Sequence, residues 1–129
     1  MNKQSLLLMV FLILIPGFVS AGSISISSQI EKTYDDENLT VSVITKNLGD
    51  STAKNLYHNI ELDRHEIRSE KRESLDEGIF KSDFAFNISG KEGSYPLILK
   101  TYYTDDNQYP FSVVFVDSFH TDGKNKDGL

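Results

Sequence analysis

The sequence predicts an antiparallel β-sandwich of about seven short strands, carried behind an N-terminal export signal. Three observations lead there. From Gly22 onward apolar and polar residues alternate with a period of two, the mark of strands with one buried face. Turn-forming clusters interrupt the alternation about every 8–12 residues, as in sandwiches and barrels. A single unbroken apolar run, Leu6 to Ile15, lies near the N-terminus and shows no such alternation.

Residues 1–21 read as a secretory signal peptide. Lys3 gives a short positive region, Leu6 to Ile15 the apolar one, and Pro16-Gly17 breaks it before the small-residue stretch Val19-Ser20-Ala21, where a signal peptidase cuts. The run is shorter than the roughly 20 residues a bilayer crossing needs, so cleavage after Ala21 is expected, with a retained anchor as the alternative. No later segment is long and apolar enough to span a membrane. The exported chain would begin at Gly22, hold 108 residues and carry 12 basic against 19 acidic residues. That length buries roughly two-thirds of the unfolded surface, enough for a self-supporting core.

Composition excludes several classes. The chain of 129 residues has a net charge of −6, whereas nucleic-acid binding needs a basic face. It has no cysteine, which removes a disulfide framework, a thiolate-ligated zinc and a thiol nucleophile. Its hydrophobic content of 39% is that of a folding domain, not a disordered one.

The strands follow in order. Ile24 and Ile26 alternate with serines. Leu39, Val41 and Val43 form the second, ending in the turn Asn47-Leu48-Gly49-Asp50-Ser51. Leu56, His58, Ile60 and Leu62 share one face of the third. The crowded charges of Asp63 to Glu77 obscure the middle, where a short strand near His65–Ser69 and then a charged loop are expected. Phe84, Phe86 and Ile88 alternate next, and Gly90 to Gly93 turns the chain. Tyr95, Leu97, Leu99, Thr101 and Tyr103 line one face of the following strand. The turn Asp105-Asp106-Asn107 leads to the last strand at Phe111, Val113 and Phe115. The expected domain therefore spans residues 22–119, with 120–129 a flexible polar tail. Its expected core contains Leu39, Val41, Val43, Phe84, Phe86, Leu97, Leu99 and Val113.

Three segments resemble the bacterial and archaeal Ig-like modules of the CARDB (cell-adhesion-related) type and the Ig-like repeats of S-layer-associated envelope proteins. Leu39-Thr-Val-Ser-Val with Lys46-Asn47-Leu48-Gly49-Asp50-Ser51-Thr52-Ala53-Lys54-Asn55 is similar to the family's V-x-V-x-N-x-G-x-x-x-A-x-N segment. Leu75-Asp76-Glu77-Gly78 is similar to its L-x-x-G approach to a strand. Gly93-Ser94-Tyr95-Pro96-Leu97-Ile98-Leu99 with Tyr103-Thr104-Asp105 is similar to its G-x-Y-P-L-x-L … Y-x-D segment. The resemblance covers most of Ser23 to Ser118 and implies an Ig-like antiparallel β-sandwich, with Asn47, Gly49 and Gly93 as structural positions. The charge run at Asp63–Glu77 departs from the family pattern. Tyr95, just after a glycine turn at the start of a late strand, is placed for a tyrosine corner.

Chemistry-bearing motifs are few. No nucleophile elbow, phosphate loop or HExxH helix occurs, so no catalytic residue is named. His58, His65 and His120 fall on different elements, without ligand spacing, so no metal or other cofactor is expected. Asp35-Asp36-Glu37 and Asp105-Asp106-Asn107 have oxygens for calcium, yet Asp and Asn also serve turns. Asn38 and Asn87 open N-glycosylation sequons. The expected function is an exported, non-catalytic Ig-like module, extracellular, periplasmic or in the cell envelope. It would act in adhesion, scaffolding or as an accessory subunit through a protein or cell-surface partner. The alternatives are a small secreted sugar- or ligand-binding domain, with Tyr102 and Tyr109 as contact residues, and a metal-dependent hydrolase.

Overall fold

The computed structural model describes residues 22–121, so the expected signal peptide and its cleavage site at Ala21 lie outside the described residues. The chain is all-β. Strands β1 (Ile26–Tyr34), β2 (Asn38–Asn47) and β6 (Phe80–Asn87) form one antiparallel sheet in the order β1-β2-β6. Strands β3 (Ala53–Leu62), β4 (His65–Arg68), β5 (Arg72–Leu75), β7 (Gly93–Thr104) and β8 (Pro110–Thr121) form the other. Its order is β4-β3-β7-β8, with β5 also paired to β3. Two sheets that divide the strands in this way have the Ig-like sandwich arrangement.

There are eight strands where about seven were expected. The additional one is β5, within the stretch read as a charged loop. It pairs with β3 through Ala53↔Leu75, Lys54↔Ser74 and Leu56↔Arg72. Only Leu75 of its four side chains is buried, so there was no alternation to see. β8 runs to Thr121, whose side chain is buried. His120 and Thr121 thus belong to the sheet and not to the tail.

Local chemistry accounts for the joints. β3 and β4 join through Asp63-Arg64, both with positive φ (50° and 68°), the two-residue hairpin geometry that matches strand twist. The Lys91 ammonium clamps this turn through the Asp63 carboxylate, and that hydrogen bond holds the Asp63 carboxyl below its usual pKa. Asn55, at φ 55°, lies in the irregularity between Lys54 and Tyr57 where β3 slips against β7, as bulges do.

The core has two parts. The larger contains Leu39, Val41, Val43, Ile60, Leu62, Phe84, Phe86, Ile88, Leu97, Leu99 and Phe119. The smaller, Ala53, Leu56, Leu75 and Phe80, lies toward the β2–β3 turn. Seven of the eight expected core residues are fully or nearly fully buried. The exception is Val113, only half-buried. It stands on β8, an edge strand that pairs with β7 alone.

Thr101, opposite His58 across β3 and β7, is fully buried, and its hydroxyl has no hydrogen-bond partner among the described residues. An unpaired buried hydroxyl costs free energy. Thr101→Val, which keeps the shape and removes the hydroxyl, is therefore expected to stabilise the domain by about 1 kcal/mol. Paired urea titrations check this; a destabilised variant would show that the hydroxyl has a partner in solution.

Candidate functional site

The structural residues expected from the sequence occupy two joints. Asn47, the last residue of β2, is buried and makes four hydrogen bonds. Its Nδ2 donates to the carbonyls of Ser51 (2.7 Å) and Leu75 (2.9 Å). Its Oδ1 accepts from the amides of Ser25 (3.2 Å) and Gly49 (3.0 Å). One side chain thus joins the segment before β1, the β2–β3 turn and β5. Gly49 belongs to the same knot, because a Cβ there would stand 2.1 Å from the Ser23 carbonyl oxygen.

At the other joint Gly93 opens β7 at φ +102°, a conformation that favours glycine. Two residues on, the Tyr95 hydroxyl donates to the Glu92 carbonyl at 2.8 Å, while its ring packs half-buried against the main core. The Lys91 ammonium lies 5.2 Å from the ring centroid. Because the Glu92 carbonyl lies in an exposed bend, water replaces the lost partner in Tyr95→Phe. The expected cost is about 0.5–1 kcal/mol, that of a net hydrogen bond and not of an orphaned buried group. Tyr102→Phe, which keeps the ring, is expected to cost less than about 0.5 kcal/mol. Equal urea midpoints for the two would remove the corner role from Tyr95.

The three histidines do not converge, and among the described residues no group of three or more His, Cys, Asp or Glu is placed to hold a metal ion. His58 is fully buried. Its Nε2 lies 2.7 Å from the Thr45 hydroxyl, which lies 2.7 Å from that of Ser28. Its Nδ1 lies 2.7 Å from the Ser82 hydroxyl, and its ring stacks on Phe80 with centroids 4.4 Å apart. Burial pushes the His58 pKa down to about 4, because desolvation opposes the charged imidazolium. A serine hydrogen-bonded to a histidine is the first element of an activated nucleophile. Here the ring's other nitrogen meets a neutral hydroxyl and not a carboxylate, and the imidazole is too weakly basic for that work. The chain Ser28–Thr45–His58–Ser82 fastens the two sheets together.

The acidic turns use their oxygens internally. Asp35 Oδ1 accepts from the amides of Glu37 and Asn38 (2.9 Å each), which lowers the pKa of this exposed carboxyl. Asp105 Oδ1 accepts from the amides of Asn107 (2.9 Å) and Tyr109 (3.0 Å). These are the Asx bonds of turns. The sequon residues Asn38 and Asn87 are both exposed and directly opposite one another on β2 and β6.

The two sheets present different outer faces. That of the β1-β2-β6 sheet is polar, with Gln29, Glu31, Thr40, Lys46 and Asp83 among its exposed residues. That of the other sheet combines an aromatic and apolar patch with polar residues such as Asn59, Glu61 and Lys100. Tyr57 and Tyr102 stack there, with centroids 4.9 Å apart, and the Arg68 guanidinium lies 4.7 Å from the Tyr57 centroid, within cation–π range. Beside them Val114 and Val116 are 53% and 70% exposed, and Val116 lies opposite Ile98. Tyr102 is consequently half-buried under Tyr57, while Tyr109 stands apart, exposed, on the β7–β8 turn. Tyr57 escaped the sequence reading because its neighbours come from strand register.

A cavity of about 300 Å³ opens at the end of the sandwich between the segment before β1, the β2–β3 turn and the β7–β8 turn, with Tyr103, Phe111, Asp105 and Asp106 in its wall. Tyr103 and Phe111 stack there, centroids 5.4 Å apart. Asp106 is paired with Lys54 at 3.1 Å.

The fold recurs in solved structures. The ApaA protein from Bordetella pertussis matches with a TM-score of 0.50 and 11% identity, over 78% of this chain and 94% of that one. A structural-genomics target protein matches with a TM-score of 0.47 and 11% identity, over 80% and 89%. The sporulation control protein Spo0M from Bacillus subtilis matches with a TM-score of 0.40 and 13% identity, over 78% of this chain and 51% of that one. At 11% identity the likeness to the ApaA protein is one of fold. No protein-family model matches the chain, and no curated protein matches it.

Proposed function

We propose that this chain is an exported, non-catalytic Ig-like module of the cell envelope or extracellular space, which holds a protein or cell-surface partner in adhesion, scaffolding or a larger assembly. The observation that carries the reading is the contrast between the two outer faces. A Tyr–Tyr–Arg stack supplies residue types in which interfaces concentrate binding energy, and the exposed valines beside it extend the apolar patch. The opposite face is polar and bears both sequon asparagines. Glycans on Asn38 and Asn87, if attached, would leave the aromatic face clear. The export signal and the resemblance to CARDB-type modules support the same reading.

A photo-crosslinking residue placed at Val116 or at Lys46 tests it in the producing cell. Crosslinks to a discrete partner from position 116 and none from position 46 are expected. Equal yields from both, or none from either, would overturn the proposal, as would recovery of the chain only inside the cell.

A small-ligand reading has one observation in its favour, the cavity walled by Tyr103 and Phe111 beside two aspartates. Its volume is at the lower end for ligand sites. Calorimetric titration with simple sugars, compared between the native chain and Phe111→Ala, separates it from the first reading.

A further inference from the structure

A cavity of about 490 Å³ lies on the flank where the two sheets' edges face each other, between the β4–β5 segment and β6. Among the described residues β6 pairs only with β2, and β4 only with β3, so both present an edge without a strand partner there. Phe80, Phe84 and Ile67 contribute apolar wall. Around it stand four cations, Arg68, Lys71, Arg72 and Lys81, against two acids, Glu70 and Asp83. In a chain of net charge −6 this groove has the opposite sign. Lys81 and Asp83 share the outward parity of β6, where Asp83 accepts the Ser42 hydroxyl at 2.6 Å, and Arg72 is fixed over the β5–β6 connection by the carbonyls of Ser74 and Ile79.

We infer that this groove receives an extended acidic segment of a partner protein, which adds as a strand along the free edge of β6. An unpaired edge supplies a row of backbone donors and acceptors, the basis of strand addition. Alternate side chains of an extended segment point to opposite sides. One set would meet Phe80, Phe84 and Ile67; the other, if acidic, would meet the cations at the rim. The other sandwich edge is less open to such pairing. There Lys32 reaches across from β1 to β8, donating to the Ser118 carbonyl at 2.7 Å and pairing with Asp117 at 2.9 Å. A charged side chain seated on an edge strand obstructs addition. Arg68 and Lys71 also approach the Tyr57 ring on the outer face of the β3 sheet, 4.7 and 5.9 Å from its centroid, so it is pairing along β6 that distinguishes this inference from the proposed function.

The probe is a fluorescent octapeptide of alternating valine and glutamate, followed by anisotropy with the purified protein. It is expected to bind, and to bind about tenfold more weakly to the double variant Lys71→Glu, Lys81→Glu, since each reversal turns an attraction into a repulsion. Lys46→Glu, on the polar outer face, is expected to leave affinity unchanged. A peptide with lysine for glutamate should not bind, and proline at the fourth position should abolish binding by removing a ladder donor. Hydrogen exchange should slow in β6 and not in β8 on adding the peptide. The inference is overturned if the acidic peptide does not bind, if the lysine peptide binds equally, or if the double variant binds normally. It is also overturned if proline has no effect while heparin competes, which would make the groove a polyanion site, or if protection appears in β8.

Discussion

Asn47→Ala is expected to destabilise the domain by about 2–4 kcal/mol, more than any other single truncation at a polar residue. The side chain has both its donors and its acceptor oxygen in use, toward Ser51, Leu75, Ser25 and Gly49. Alanine would leave several groups in this part-buried knot without partners, and each buried orphan costs about 1–3 kcal/mol before relaxation and water entry reduce the total. The damage would not stay local. Leu75 anchors β5 in the smaller core, and the segment before β1 is tied to the turn by Leu48 N donating to Ser25 O and Ser51 N to Ser23 O. Asn47→Asp is the informative companion. Its carboxylate still accepts from Ser25 and Gly49 but cannot donate to the two carbonyls, so it should remain clearly destabilised. Asn87→Ala, exposed and bonded only to the Ser89 amide among the described residues, should cost less than about 1 kcal/mol. Urea titrations of the three variants check the order. Asn47→Ala within about 0.5 kcal/mol of the native chain would show that the knot is replaced by water without loss.

The sequence made Asn47 visible as a turn residue, but not as a hub. Alternation is a property of one strand, so the inward sets Leu39-Val41-Val43, Phe84-Phe86 and Leu97-Leu99 were legible without knowing any partner. Whatever depends on two strands was not. Tyr57 is the odd-parity residue of an inward-facing set, and its stack on Tyr102 exists because β3 pairs with β7 at Tyr57↔Tyr102. The Arg68 contact exists because β4 lies on the other side, at Asn59↔Arg68. Val113 has the same alternation as Leu99, yet an edge strand covers it only in part. β5 presents one buried side chain in four, too few for any period. The basic groove is assembled from two segments, residues 67–72 and 80–84, on edges of different sheets, and the charges of the first looked from the sequence like a solvated loop.

The second large effect concerns acid. Lowering the pH from 7.5 to 5 is expected to remove about 2 kcal/mol of stability through His58 alone, approaching about 3 kcal/mol by pH 4. The sign follows from proton uptake. In the folded chain the imidazole titrates near 4, against 6.5 in the unfolded chain, so between those values the unfolded state binds more protons. Stability therefore rises with pH across this window, is fully present above 6.5, and is lost as the pH falls toward 4. The carboxyls with lowered pKa, Asp117 through its hydrogen bond to Lys32 and Asp63 through Lys91, act in the same direction but begin at lower pH, near the ordinary carboxylate range. His65 and His120 are exposed and not part of the buried chain. His58→Phe separates the contributions. The new ring keeps the stack on Phe80, Thr45 retains Ser28, and Ser82, half-buried, turns to water. The variant's stability should then be nearly flat from pH 7.5 to 5 whatever its starting value. A native chain equally stable at both pH values would mean that the imidazolium finds a partner or water inside the sandwich. Parallel slopes for the native chain and the variant would place the acid sensitivity elsewhere. Protonated, His58 would donate from both ring nitrogens, and whichever of the Thr45 and Ser82 hydroxyls had donated to it would turn to accept, so the cost lies in burying the charge between the sheets and not in a lost hydrogen bond. Acid is therefore expected to separate the sheets between the two core clusters first, exposing Phe80, whose ring rests on His58.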